Sequence, residues 1–247
     1  MADNELNVID HLDELRRRII ITAVAFVFFF GIGFIYAEEI YLWFVKDLDV
    51  QLVVLGPGDI IWIYLMLASV VGITCTIPVL FIQLWLFVKP ALTSTEKKVT
   101  LSYIPALFLL FILGLCFGYY VIFPNVLHFL IELSGDMFLT NFTVEKYFRF
   151  LMQMTIPFAI LFELPAVVMF LTSLGVINPY VLSKARKYAY FVLIVIAIII
   201  SPPDLMSDFL VMIPLLVLYE ISITLSKWVY NKRQKKLEQS EEAEVNV

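Results

Sequence analysis

The sequence predicts an all-α polytopic membrane protein with six transmembrane helices, and three observations lead to this fold class. Of the 247 residues, 62% are hydrophobic and only 16% are charged, which leaves too few polar groups to cover a soluble domain. Six stretches carry at most one charged residue each, and basic residues alternate between the segments that connect them. The stretches are residues 19–36, 60–88, 99–131, 150–183, 188–203 and 209–226.

The lengths of these stretches predict an irregular bundle. A helix that crosses a bilayer needs roughly 20 apolar residues, so the second, third and fourth stretches must tilt or protrude. The fifth is short, because Pro202 and Pro203 should end its helix near Ile200. Prolines inside the other stretches should kink their helices, and we expect a concave, bowl-like arrangement. These prolines are Pro78, Pro157, Pro165 and Pro214.

The distribution of lysine and arginine predicts the orientation. The N-terminal flank, the second and fourth connections and the C-terminal tail are rich in basic residues, whereas the other connections carry few or none. Basic segments stay preferentially on the cytoplasmic side of a membrane. Both termini are therefore expected in the cytoplasm, and the strict alternation also supports the number of six spans.

The chain divides into three regions on this interpretation. Residues 1–18 place apolar side chains at helical spacing, which predicts a short amphipathic helix along the inner membrane surface. Residues 19–228 hold the six spans. Residues 229–247 are rich in Lys, Glu and Gln, and we expect a disordered cytoplasmic tail.

The sequence lacks the motifs of common enzymes, so we expect no catalytic residue, no cofactor and no metal. It contains no Gly-x-Ser-x-Gly, no His-Glu-x-x-His and no Walker loop, and no aspartate lies in the middle of a span. A net charge of −5 argues against nucleic acid as a partner. Binding or transport fits better. A secondary transporter or ion channel with Glu163 as its coupling acid is one class, although no inverted repeat supports it, and a passive membrane scaffold is another.

Two glutamates interrupt the apolar stretches. Glu163 lies midway along the fourth, where a carboxylate costs several kcal/mol unless it is partnered, hydrated or protonated. We expect it to face the concave cavity as a pathway or partner site. The alternative is a protonated acid bonded to a hydroxyl such as that of Thr155, or to a carbonyl freed by Pro165. Glu220 lies near the inner end of the last stretch and could extend to the membrane surface.

Two further glutamates lie outside the spans. Glu14 precedes Arg18 by four residues, so an ordinary ion pair along one helix could explain it. Glu96 follows Thr93 by three residues, ahead of the third span, and a capping box could explain it.

Five motifs, in order along nearly the whole chain, resemble those of the TatC family, the core subunit of twin-arginine protein translocase. Residues 46–49 (KDLD) also resemble the Bacillus-type branch of that family. The motifs are residues 11–16 (HLDELR), residues 78–98 with PVL, QLW, FVKPAL and EKK, residues 162–165 (FELP), residues 201–204 (SPPD), and IP with YEI at residues 213–221.

The resemblance implies a function and its partners. The family binds the twin-arginine signal peptides of folded precursor proteins at the cytoplasmic face of the bacterial cytoplasmic membrane. It then recruits TatA-type single-span subunits in an oligomeric complex that uses the proton-motive force. The resemblance implies three groups of site residues. These are Glu14, Glu96, Arg16 and Phe87 for signal-peptide binding, Glu163 and Glu220 as an intramembrane polar site for partners, and Asp204 as a functional candidate in an outer loop.

Overall fold

The computed structural model describes the backbone of residues 2–46, 52–91, 97, 101, 103–134 and 142–245. These residues are helical almost throughout and contain no β-strand, which confirms the predicted all-α class. The described residues contain one isolated β-bridge, a parallel pairing between Val53 and Thr143. Glu96 lies outside the described residues, as does most of the 46–49 motif.

The helices follow one another with short connections. A π-helical segment, Gly118–Ile122, joins α4 to α5, and a 3-10 turn, Lys89–Ala91, follows α3. The α-helices are α1 (Ala2–Ile35), α2 (Ala37–Val45), α3 (Pro57–Val88), α4 (Tyr103–Phe117), α5 (Phe123–Ser134), α6 (Val144–Leu161), α7 (Leu164–Ser173), α8 (Pro179–Lys184), α9 (Arg186–Ile200) and α10 (Leu205–Val245).

Five helical stretches of the described chain are long and apolar enough to cross a membrane. The helix α9 has 15 residues, which extend only about 22 Å, less than a hydrocarbon core of about 30 Å. It ends at Ile200, as predicted, because Ser201 adopts the extended conformation that a following proline favours. The five stretches are Leu12–Ile35, Pro57–Val88, Tyr103–Leu133, Val144–Ser173 and Leu205–Lys235.

Both ends of the chain are helical in the structure. The short surface helix and the first span form one helix, α1, because no glycine or proline interrupts the sequence from Ala2 to Phe30. The tail that was expected to be disordered continues α10 to Val245, since Lys, Glu and Gln are good helix formers and nothing breaks the helix after Pro214.

Among the four prolines in the spans, Pro165 has the clearest effect. The fourth span breaks at Phe162 and Glu163, and α7 then begins with Pro165 in its first turn. Proline suits this position because the N–H that it lacks would have no partner in a first turn. The other three prolines lie inside continuous helices.

The chain forms two compact units. The first comprises Met1–Phe108 with Phe138–Phe150, and the second comprises Leu109–Met137 with Leu151–Val247. Glycines allow close helix packing within each. In the first unit, Gly33 of α1 faces Ala68 of α3, where an added Cβ would lie 3.0 Å from the Ala68 Cα. In the second, a Cβ on Gly118 would lie 2.7 Å from the Thr155 Cα. Such approaches are typical of membrane helix pairs.

Candidate functional site

The first candidate site lies near the N-terminal end of α1, where Glu14 accepts an arginine from its own helix. Arg18 follows one turn later, and its Nε donates to Glu14 Oε1 at 3.1 Å while its Nη2 donates to the same oxygen. Arg18 Nη1 also donates to Gln83 Oε1 on α3 at 3.2 Å. The other carboxylate oxygen, Glu14 Oε2, accepts no hydrogen bond from the described residues. The Glu14 side chain as a whole is 33% exposed.

An apolar groove of about 400 Å³ runs between α1 and α3 next to this ion pair. Arg18 and Gln83 line its polar end, and Phe87 lines it near the C-terminal end of α3. Farther along, Thr76 is 7% exposed and lines the groove, yet its Oγ1 has no hydrogen-bond partner among the described residues.

The structure therefore brings two of the predicted signal-peptide residues to one region and leaves two apart. Glu14 lies at the polar end through its bond to Arg18, and Phe87 lines the groove wall. Arg16 is exposed on α1 and does not line the groove. The fourth, Glu96, belongs to the segment after α3 that is not described. The ion pair expected as the simple explanation of Glu14 is thus present, and it uses only one of the two carboxylate oxygens.

The second candidate site is Glu163, which lies at the break between α6 and α7. Its side chain is 8% exposed, and neither carboxylate oxygen has a hydrogen-bond partner among the described residues. The alternative bonds to Thr155 or to a freed carbonyl are absent there, and Thr155 Oγ1 is itself without a partner. A buried carboxyl group without a partner is costly, so each such group calls for an explanation.

Glu220 on α10 has the opposite surroundings. Arg186 of α9 donates from Nε to Oε1 at 2.8 Å and from Nη2 to Oε2 at 2.9 Å, and the Tyr190 hydroxyl donates to Oε1 at 2.5 Å. A groove of about 450 Å³ lies beside this cluster, lined by Tyr190, Glu220 and mainly apolar residues of α10. The sequence interpretation missed Arg186 and Tyr190 as partners. Arg186 is 34 residues from Glu220, and its only signal was the basic character of its connection.

Asp204 has a clear structural role at the start of α10. Its Oδ1 accepts from the Ser207 backbone N–H at 2.7 Å, which satisfies one of the unpaired N–H groups of the first helical turn. Its Oδ2 is buried without a partner among the described residues. The residue predicted as an outer-loop functional candidate thus caps a helix, whatever else it does.

The chain is similar to known proteins along almost its whole length. The family model described as Sec-independent protein translocase protein (TatC) matches residues 10–214. TatCd of Bacillus subtilis is 57% identical over 235 residues, which cover 95% of this chain and 97% of the relative. TatCy of the same organism is 45% identical over 239 residues, 95% of this chain and 94% of the relative. TatC of Halalkalibacterium halodurans is 41% identical over 249 residues, 98% of each.

Solved structures show the same relationship. A crystal structure of the twin arginine translocase receptor TatC matches with a TM-score of 0.78 and 36% identity, over 89% of this chain and 99% of that one. The same receptor crystallised in DDM matches with a TM-score of 0.78 and 36% identity, over 87% and 99%. The resemblance to the Bacillus-type branch agrees with the two Bacillus subtilis relatives. The chain belongs to the TatC family of Sec-independent protein translocase proteins.

Proposed function

We propose that this protein is the twin-arginine signal-peptide receptor and the core of a translocase that exports folded proteins. One observation carries the proposal. Glu14 binds one guanidinium, that of Arg18, through Oε1, its Oε2 accepts no hydrogen bond from the described residues, and Arg18 itself lines an apolar groove. The structural relative described above is itself described as a twin arginine translocase receptor.

The chemistry of arginine supports this role for Glu14. A guanidinium presents a planar fork of N–H donors that can bind both oxygens of a carboxylate. The ammonium group of lysine cannot reproduce this geometry. Two adjacent arginines call for more than one carboxylate, and Glu96 supplies the second in this proposal. Phe87 offers an aromatic ring on which a guanidinium or an apolar side chain can pack. Arg16 belongs to the proposed site through its place in the 11–16 motif alone.

The topology belongs to the same proposal. Six spans with α9 as a short fifth, both termini in the cytoplasm and a concave arrangement would put Glu14 on the cytoplasmic side of the bacterial cytoplasmic membrane, where precursors arrive. The basic residues beside the N-terminal flank and in the tail support that orientation. In this arrangement residues 1–18 form the cytoplasmic entry, residues 19–228 the membrane domain and residues 229–247 a cytoplasmic extension.

Glu163 and Glu220 are proposed to serve the partner subunits, in different ways. The unpartnered Glu163 carboxyl group offers a polar contact to a polar residue on the single span of a TatA-type subunit, which also lacks polar company in lipid. Glu220 is engaged by Arg186 and Tyr190, so we propose that it shapes the groove on α10 rather than binding directly. An active oligomer driven by the proton-motive force completes the proposal.

The proposal is tested by replacing Glu14 and comparing it with the neighbouring acid. Glu14→Gln should reduce crosslinking of a twin-arginine precursor at least tenfold at normal protein abundance, and Glu14→Gln with Glu96→Gln should abolish export. Asp13→Asn is the matched control, since Asp13 is an exposed acid on the same turn of α1 and forms no ion pair with the described residues. Export at the wild-type level by the double variant would refute the proposal.

A further inference from the structure

We infer that the groove on α10 binds an anionic phospholipid, with an acyl chain in the groove and the phosphate at the basic end of the helix. The groove has a volume of about 450 Å³ and is lined by Tyr190 of α9 and by six residues of α10 between Leu216 and Leu225. The inference concerns the chain without partner subunits. It goes beyond the proposed function and does not depend on it.

The groove has the length of one leaflet of a bilayer. Its lining on α10 runs from Leu216 to Leu225, which corresponds to about 14 Å along the helix axis. The hydrocarbon core of a bilayer is about 30 Å thick, so each leaflet contributes about 15 Å. The apolar stretch of residues 209–226 ends one residue after the groove, and Lys227 follows directly. The groove therefore occupies the half of this span that is next to the C-terminal end of α10.

The polar side chains that line the groove are paired within the chain. The Tyr190 hydroxyl donates to Glu220 Oε1 at 2.5 Å, and Arg186 donates to both oxygens of the same carboxylate. The Thr224 hydroxyl donates to the Glu220 backbone carbonyl at 2.9 Å. A polar group buried against such a wall would be left without a partner and would cost free energy. The lining therefore suits a hydrocarbon chain better than a peptide with polar atoms along its length.

The C-terminal end of the groove is positively charged. Lys232 is exposed, and its Nζ lies 5.1 Å from the centroid of the Trp228 ring, one turn closer to the groove. Lys227 is near enough to Glu220 for the two charges to interact. Five basic residues and no acid lie between Glu220 and Glu238 in the sequence. Basic residues near a membrane surface attract anionic phospholipids.

The segment beside this end of α10 adds further positive charge. The Tyr219 hydroxyl donates to the Leu182 carbonyl at 3.0 Å, which brings the junction of α8 and α9 next to α10. That junction carries Lys184, Arg186 and Lys187 and no acid. The phosphate of a lipid held in the groove would therefore lie among bases from two parts of the chain.

Trp228 lies at the level expected for the membrane surface. Its side chain is 62% exposed, and tryptophan favours the boundary between hydrocarbon and head groups. The groove ends three residues before it, at Leu225, and Lys232 lies one turn beyond it. The order along the helix is apolar groove, boundary ring and base, which matches the acyl chain, glycerol and phosphate of a phospholipid. An anionic peptide would not need the groove, and a zwitterionic phospholipid would not need the excess of bases.

Native mass spectrometry of the full chain tests the preference for an anionic lipid. The purified chain is titrated with phosphatidylglycerol or with phosphatidylcholine of the same acyl chains, and the affinity of the first bound lipid is measured. We expect phosphatidylglycerol to bind at least fivefold more tightly, and Lys227→Gln with Lys232→Gln to reduce this preference to less than twofold. Lys146→Gln is the control, because Lys146 is an exposed base of α6. Equal affinities in the wild-type chain, a preference that survives the double substitution, or an equal loss in Lys146→Gln would overturn the inference.

A photoreactive residue tests where the lipid lies. It replaces Ile221, which lines the groove, or Ile213, which is exposed on α10 about two turns earlier and does not line it. The chain is placed in nanodiscs that contain equal amounts of the two lipids. We expect at least threefold more crosslinked phosphatidylglycerol than phosphatidylcholine from position 221, and equal amounts from position 213. Equal amounts from position 221, or crosslinks to a second copy of the chain in place of lipid, would contradict the inference.

Discussion

Glu163 and Glu220 look alike in the sequence and have opposite surroundings in the structure. Each is the single charged residue of an otherwise apolar stretch, and both belong to the second compact unit. Glu220 receives three hydrogen bonds from Arg186 and Tyr190, whereas Glu163 receives none from the described residues. The difference shows that a glutamate in an apolar stretch can either have hydrogen-bond partners within the chain or lack them. Glu220 is stabilised by groups of the chain itself, whereas Glu163 has no partner among the described residues and is proposed to bind one on another subunit.

The largest expected effect is that of a substitution at Glu163 on export. Glu163→Gln removes the ionisable group at nearly constant volume and breaks no hydrogen bond to the described residues. We expect export to fall at least tenfold, with signal-peptide binding and the midpoint of thermal unfolding unchanged or slightly raised. Export assays and thermal unfolding of the purified protein measure these outcomes. A lower abundance with normal export per molecule would instead indicate that Glu163 has only a structural role.

At Glu220 the same substitution should act on stability. Glu220→Gln removes the two charge-assisted hydrogen bonds from Arg186, and because the Arg186 and Glu220 side chains are 41% and 39% exposed, we expect a slightly lower thermal midpoint and a smaller loss of export than at Glu163. Combining it with Arg186→Gln should recover part of the midpoint, because the double variant no longer contains an unpaired charge. An additive loss in the double variant would show that the pair does not couple α9 to α10.

A smaller effect, on stability, is expected from a substitution at Gly118, where the π-helical segment packs against α6. A Cβ at Gly118 would lie 2.7 Å from the Thr155 Cα, so Gly118→Ala should destabilise the protein by about 1–3 kcal/mol through overpacking. Gly31→Ala is the matched control, because nothing lies within 4 Å of the added Cβ and alanine favours a helix. Equal stability of the two variants, measured by chemical unfolding, would contradict the close packing.

The sequence predicted features that depend on neighbouring residues and missed those that depend on distant ones. The end of α9 at Ile200 follows from Pro202, and the break at Glu163 accompanies Pro165, because proline acts on the residues next to it. The Glu14 to Arg18 pair was foreseen because both residues lie on one helix.

The features that were missed involve residues far apart or competing tendencies. The bond from Arg18 to Gln83 and the cluster around Glu220 join residues 65 and 34 positions apart, and no local pattern encodes such contacts. At the chain ends, composition predicts a surface helix and a disordered tail, and the structure has continuous helices there, α1 and α10, because no helix breaker interrupts their residues.

The recognition of paired arginines by Glu14 can be tested directly by one measurement. The affinities of a twin-arginine signal peptide and its twin-lysine version are compared for the wild-type chain and for Glu14→Gln in nanodiscs. We predict that the wild-type chain prefers arginine at least tenfold, which corresponds to about 1.4 kcal/mol, and that Glu14→Gln loses most of this preference. An unchanged preference in Glu14→Gln would contradict the assignment of Glu14 as the residue that recognises arginine.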